Sequence, residues 1–171
     1  MGNLKLLSKG KLVVSACDGT KSLASANTVF KHCINGPGVN LTGDQGKSKP
    51  TDATEIRIWK VIKNDLTFVQ MFGSIGNDLD KMCLTEHQIK TFCKDFPNYL
   101  CPEGGFTEFL FKIGYQFFIA EVHSLGNNQL DVHKYHFGYD HTSSRGKIFP
   151  HYIVVPVLNL RRTKRFFRRP F

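Results

Sequence analysis

Residues 106–123 read FTEFLFKIGYQFFIAEVH, from Phe106 to His123. Phe106 to Lys112 and Gln116 to His123 are dense in Phe, Ile and Leu and are joined through Gly114. Two such runs around a short glycine turn predict a β-hairpin. Gly126-Asn127-Asn128 supplies a second turn. It leads into Gln129 to Phe137, where Leu130, Val132 and Lys134 alternate with Asp131, His133 and Tyr135. That period of two predicts a third strand. A polar loop, Asp140 to Lys147, precedes a fourth strand at about His151 to Leu158. Consecutive strands most often pair as neighbours, so the second half of the chain is expected to form a four-strand antiparallel meander.

Working upstream, the period changes. Thr85-Glu86-His87-Gln88 places Gln three residues after Thr, the pattern of a capping box. Ile89, Phe92, Cys93 and Phe96 follow at helical spacing, and Pro97 ends the helix. Leu66 to Ile75 predicts a shorter helix presenting Phe68, Val69, Met71 and Phe72, bounded by Gly73 and Gly76. Thr51 and Asp52 are candidate caps for a helix carrying Ile56, Trp59, Val61 and Ile62, with Arg57, Lys60 and Lys63 opposite. Alternation in Ile56-Arg57-Ile58-Trp59 permits a strand there instead. Asp18 or Ser22 caps a segment from about Leu23 to Ile34, with Val29, Phe30 and Cys33 as its apolar stripe, stopped by Gly36-Pro37-Gly38. Residues 36–52 read as an exposed loop, and Lys11 to Ser15 as a short β-like run. The expected fold is α+β: a helical N-terminal half packed on a four-strand antiparallel meander. One domain spans residues 1–160, and a basic aromatic tail spans residues 161–171.

That tail is the strongest functional signal. Arg161, Arg162, Lys164, Arg165, Arg168 and Arg169 stand in eleven residues without an acid, interleaved with Phe166, Phe167 and Phe171. Arg and Lys neutralise phosphates while Phe stacks on bases, so RNA or another polyanion is the expected partner. The whole chain carries +9, so the body without the tail is only about +3. Ser143-Ser144-Arg145-Gly146-Lys147 adds a second small basic loop whose Arg145 and Lys147 suit a phosphate. The expected function is a non-enzymatic RNA-binding or ribonucleoprotein-binding protein. The alternative is a protein-interaction module or homo-oligomer using an apolar sheet or helix face.

Five cysteines at irregular spacing, with no CxxC pair, argue against a disulfide framework and a zinc ribbon. Reduced thiols in a cytoplasmic protein are expected. No apolar run reaches the roughly 18 residues of a membrane span. Val14-Ser15-Ala16-Cys17 resembles a lipoprotein cleavage box, but Lys9 and Lys11 interrupt the apolar region such a signal needs.

Met71-Phe72-Gly73-Ser74, Asn77-Asp78-Leu79-Asp80, Cys83-Leu84-Thr85, Gln88-Ile89 and Phe92 resemble a family of short, uncharacterised proteins from candidate-phylum bacteria with very small genomes. The resemblance continues in Phe109-Leu110-Phe111-Lys112, Phe117-Phe118-Ile119-Ala120 and Ile153-Val154-Val155-Pro156, and covers roughly residues 28–157. It implies a shared fold and a bacterial cytoplasm. It implies no activity, substrate or catalytic residue.

Other chemistry is thinly marked. Gly46-Lys47-Ser48 lacks the preceding glycine and buried strand of a phosphate loop. His123, His133, His136, His141 and His151 cluster late in the chain. His133 and His136 point to opposite faces of a strand, whereas His123, His133 and His141 converge only if the strand register allows it. If two or more of these side chains share a cleft, an enzyme using the histidine-rich sheet is the third reading. No local pattern marks an activated cysteine. Asp78 and Asp80 read as a turn and cap. Neither a metal nor a cofactor is expected.

Overall fold

The computed structural model describes residues 2–25, 29–42, 45, 47–102, 104–139 and 150–157. Among these, eight strands form one mixed sheet: β1 (Leu4–Leu6), β2 (Leu12–Val14), β3 (Phe30–Asn35), β4 (Thr54–Val61), β5 (Phe106–Ile113), β6 (Gln116–Ser124), β7 (Leu130–His136) and β8 (His151–Pro156). Three short helices accompany it: α1 (Phe68–Gly73), α2 (Leu79–Met82) and α3 (Glu86–Asp95).

The strand order is β1-β4-β8-β5-β6-β7-β3, with β2 also on β4. This corrects the expected helical half on a four-strand meander. The β5–β6 hairpin and β7 form as the sequence predicts, in antiparallel register. β8 does not continue from β7. It inserts between β4 and β5, antiparallel to β4 and parallel to β5. Its composition explains the placement. Ile153, Val154 and Val155 are three successive buried residues, so both faces of β8 are covered, as only an interior strand allows.

Two expected helices are strands. In β4, Ile56 and Ile58 are buried while Arg57 points to solvent, and Ile62, needed by the helical stripe, is 51% exposed. The β-branched residues of Thr54–Val61 fit that half-buried pleat. Phe30–Asn35 pairs parallel with β7 and closes that edge of the sheet. Its helical stripe was short, and the unpaired edge of β7 offered a full ladder of hydrogen bonds.

The opposite edge is interrupted. β1 and β2 pair with the two ends of β4. Between them Leu7 N donates to Ile58 O at 2.8 Å, and Ser8 Oγ accepts from Ile58 N at 3.2 Å. Two three-residue pieces, one carrying Lys5 and the two separated by a segment with Lys9 and Lys11, make a poor template for another strand.

Each sheet face has its own core. On one, Phe109, Phe111, Phe118, Val132 and Val154 pack with Ile89 and Phe92 of α3. On the other, Leu110, Ile119, Ile153 and Val155 pack with Phe68, Met71 and Phe72 of α1 and Met82 of α2. The strand residues nearest the β6–β7 turn carry different chemistry.

Candidate functional site: a buried carboxylate–imidazole cluster

Glu108 of β5 and Glu121 of β6 are direct register partners, and neither side chain has any exposed surface. Strand alternation puts Phe106, Glu108 and Leu110 on one face of β5, and Ile119, Glu121 and His123 on the same face of β6. His151 Nδ1 lies 2.6 Å from Glu108 Oε1. His123 Nε2 lies 2.9 Å from Glu121 Oε1. The two rings flank Phe106, whose register partners are His123 and His151, with centroid separations of 4.4 and 5.1 Å. His133 of β7 stands opposite Glu121 and stacks on His123 at 4.7 Å and 17°. Tyr135 Oη lies 3.4 Å from His133 Nδ1. At the end of this row Asp131, opposite His123, accepts from His32 N at 3.1 Å and lies 2.9 Å from His32 Nδ1.

Gly105 helps to set the geometry. A side chain there would collide with Cys101 Sγ and with Pro150 O, the carbonyl that accepts from Phe106 N at 3.0 Å. The start of β5 thus lies close against the start of β8, which brings His151 beside Phe106 and Glu108.

Withdrawing a carboxylate from water is expensive unless hydrogen bonds and counter-charge replace the lost hydration. An imidazole nitrogen lies within hydrogen-bond distance of each glutamate. The burial is graded: the glutamates are fully enclosed, while the His123 and His151 side chains keep 23% and 24% of their surface. The carboxylates therefore act as anchors and the imidazoles as presented groups. A carboxylate on one ring nitrogen also selects the tautomer and orientation of that ring. The contacts use different nitrogens, Nδ1 of His151 and Nε2 of His123, so the two rings are held in opposite senses. Among the described residues no group of three or more His, Cys, Asp or Glu side chains is arranged to hold a metal ion.

Of the residues singled out in the sequence, Arg145, Lys147, Arg161, Arg162, Lys164, Arg165, Phe166, Phe167, Arg168 and Arg169 lie outside the described residues, as do His141 and Gly46. His123 and His133 come together. His136 faces the other way, its ring tilted against Phe118 at 4.9 Å, with its Nε2 3.2 Å from Gly38 O. Four of the thiols are disfavoured as nucleophiles: burial pushes Cys83 up to about 12 and Cys101 up to about 11, and raises Cys33 and Cys93 as well. Asp78 caps α2 and pairs with Lys81 at 2.7 Å, and Asp80 pairs with Lys112 at 2.6 Å.

Sequence reading missed Glu108 and Glu121, although a signal was present. A two-residue loop at Gly114-Tyr115 fixes Ile113 opposite Gln116. Counting outward from there pairs one glutamate with the other inside two otherwise apolar runs.

Comparison of the chain with protein-family models, with curated proteins and with solved structures finds no match. The resemblance over residues 28–157 therefore rests on the motifs that carry it. The chemistry of the cluster has to be argued from its own geometry.

Proposed function

We propose that this protein is a proton-transfer catalyst in which His123 and His151 act as an acid–base pair. The observation that carries the reading is the pair of fully buried, directly opposed glutamates, each bonded to a partly exposed imidazole. Two carboxylates in the middle of a sheet are a poor choice for stability, because apolar side chains of similar size would fill the same space without the desolvation cost. Groups displaced from ordinary solvation beside a surface-reaching imidazole are typical of sites that move protons.

The test is nuclear magnetic resonance of the histidine ring nitrogens in the full chain. Neutral His123 is expected as the Nε2–H tautomer and neutral His151 as the Nδ1–H tautomer. Glu121→Gln is expected to shift the His123 tautomer and leave that of His151 in place. Two rings with the averaged tautomers of free imidazole would overturn the reading.

A second reading is favoured by the six cations of residues 161–171 and their interleaved phenylalanines. The tail holds RNA or another polyanion, through Arg161, Arg162, Lys164, Arg165, Arg168 and Arg169 on phosphates and Phe166 and Phe167 on bases. Exposed Lys5 and Lys60 are register partners on the β1–β4 edge, a like-charged pair that a bound anion would relieve. The expected result is binding to a single-stranded RNA that weakens steeply with salt and is lost on deletion of residues 161–171. Full affinity without the tail would remove this reading. The two readings are compatible, one naming the chemistry and the other the means of capture.

A further inference from the structure

Resting on the acid–base reading of the cluster, we infer that the bond it acts on is the phosphodiester of RNA, cleaved by attack of the neighbouring ribose 2′-hydroxyl. The inference follows from what the site contains. Two imidazoles are presented on either side of one phenyl ring, each held by its own carboxylate. The thiols described above are held in their unreactive protonated form. A reaction that suits such a site needs two proton transfers at neighbouring atoms and brings its own nucleophile. RNA does so, since its 2′-hydroxyl lies beside the phosphorus it attacks. Six of the chain's nine net positive charges stand in residues 161–171, a sequence that favours a polyanion over neutral esters and glycosides.

The step balances without any co-reactant. One neutral imidazole accepts the 2′-hydroxyl proton as the O2′–P bond forms. The other ring, as imidazolium, donates a proton to O5′ as the P–O5′ bond breaks. The products are a 2′,3′-cyclic phosphate and a 5′-hydroxyl end. The charge of the acid passes to the base, so the pair returns to its starting state by exchanging one proton with water. Glu108 and Glu121 are positioning residues that steady each imidazolium form.

The experiment uses full-length protein, a mixed-sequence RNA oligonucleotide and a DNA oligonucleotide of the same sequence, with EDTA present and products weighed by mass spectrometry. RNA is expected to be cut to cyclic-phosphate and 5′-hydroxyl ends, with the DNA intact because it lacks the nucleophile. His123→Asn and His151→Asn are each expected to lower the rate by about 10²–10⁴-fold, the usual worth of a general acid or base. His136→Asn, on the opposite face, leaves it unchanged. Should an Asn variant fail to fold, the wild-type pH–rate profile decides. One base and one acid predict a bell, and a single limb overturns the inference. So do 5′-phosphate ends, DNA cut as fast as RNA, or RNA left uncut. Uncut RNA alongside the two fixed tautomers defeats only this substrate assignment. Averaged tautomers defeat the acid–base reading beneath it.

Discussion

His87 shows how one buried side chain makes stability depend on pH. It sits in the first turn of α3 with little exposed surface, and Asp18 Oδ1 lies 3.1 Å from its Nδ1. Burial holds the imidazole below its ordinary value of 6.5, and the nearby Asp18 only partly offsets this. The folded chain therefore binds that proton less readily than the unfolded chain. Its contribution to stability is complete above pH 6.5 and is lost as the pH falls below 6.5 towards the folded-state value. Urea melts at about pH 7.5 and about pH 5 check this. His87→Gln is expected to lose less stability between the two conditions than the wild type, and equal losses would assign the acid sensitivity elsewhere. The cap beside His87 was readable from Thr85 and Gln88 alone, because it is built from neighbours in sequence. The burial of His87 was not, because it depends on the loop around Asp18.

At the scale of elements, local signals succeeded where a segment satisfies its own backbone. Thr85 Oγ1 accepts from Gln88 N at 3.2 Å, and Gln88 Oε1 accepts from Thr85 N at 2.9 Å. Gln88 Nε2 also donates to Thr54 Oγ1 at 2.8 Å, which ties the start of α3 to β4. Thr85→Ala is expected to cost about 1 kcal/mol, the usual worth of an N-cap, read as a lower denaturation midpoint with an unchanged slope. A loss near zero would show that packing of Ile89 and Phe92 holds the helix end alone. Local signals failed in Thr54–Val61 and Phe30–Asn35. Both carry apolar residues whose spacing suits a short helix as well as a strand, and the deciding hydrogen bonds come from β8 and β7. An apolar stripe over a few residues does not say whether a partner strand is waiting.

Across the whole molecule, protection should follow strand order. β5 and β8 have strands on both sides and cores on both faces, while β3 and the broken β1–β2 strand lie at the margins. Amide hydrogen exchange is expected to be slowest in β5, β6 and β8 and fastest in β1, β2 and β3. Protection of β3 equal to that of β5 would contradict the arrangement. The same layout explains the place of the candidate site. α1 and α2 pack on Leu110, Ile119, Ile153 and Val155, and the strand residues of that face towards the β6–β7 turn carry Glu108, Glu121, His123, His133 and His151. No helix among the described residues is long and apolar enough to cross a membrane.

The hairpin joined through Gly114, the turn at Gly126-Asn127-Asn128, the short helix at Phe68–Gly73 and the capped helix at Glu86–Asp95 were legible in the sequence alone, whereas the strand register was not read from it. Each of these elements depends on residues a few positions apart, whose backbone preferences act before any distant contact forms. Tertiary structure alone decided that β8 lies between β4 and β5, that residues 30–35 extend along β7, and that His151 meets Glu108. Those outcomes depend on which strand edges and apolar faces remain to be covered once the hairpin has formed. That competition among distant segments leaves no trace in the local pattern of any one of them.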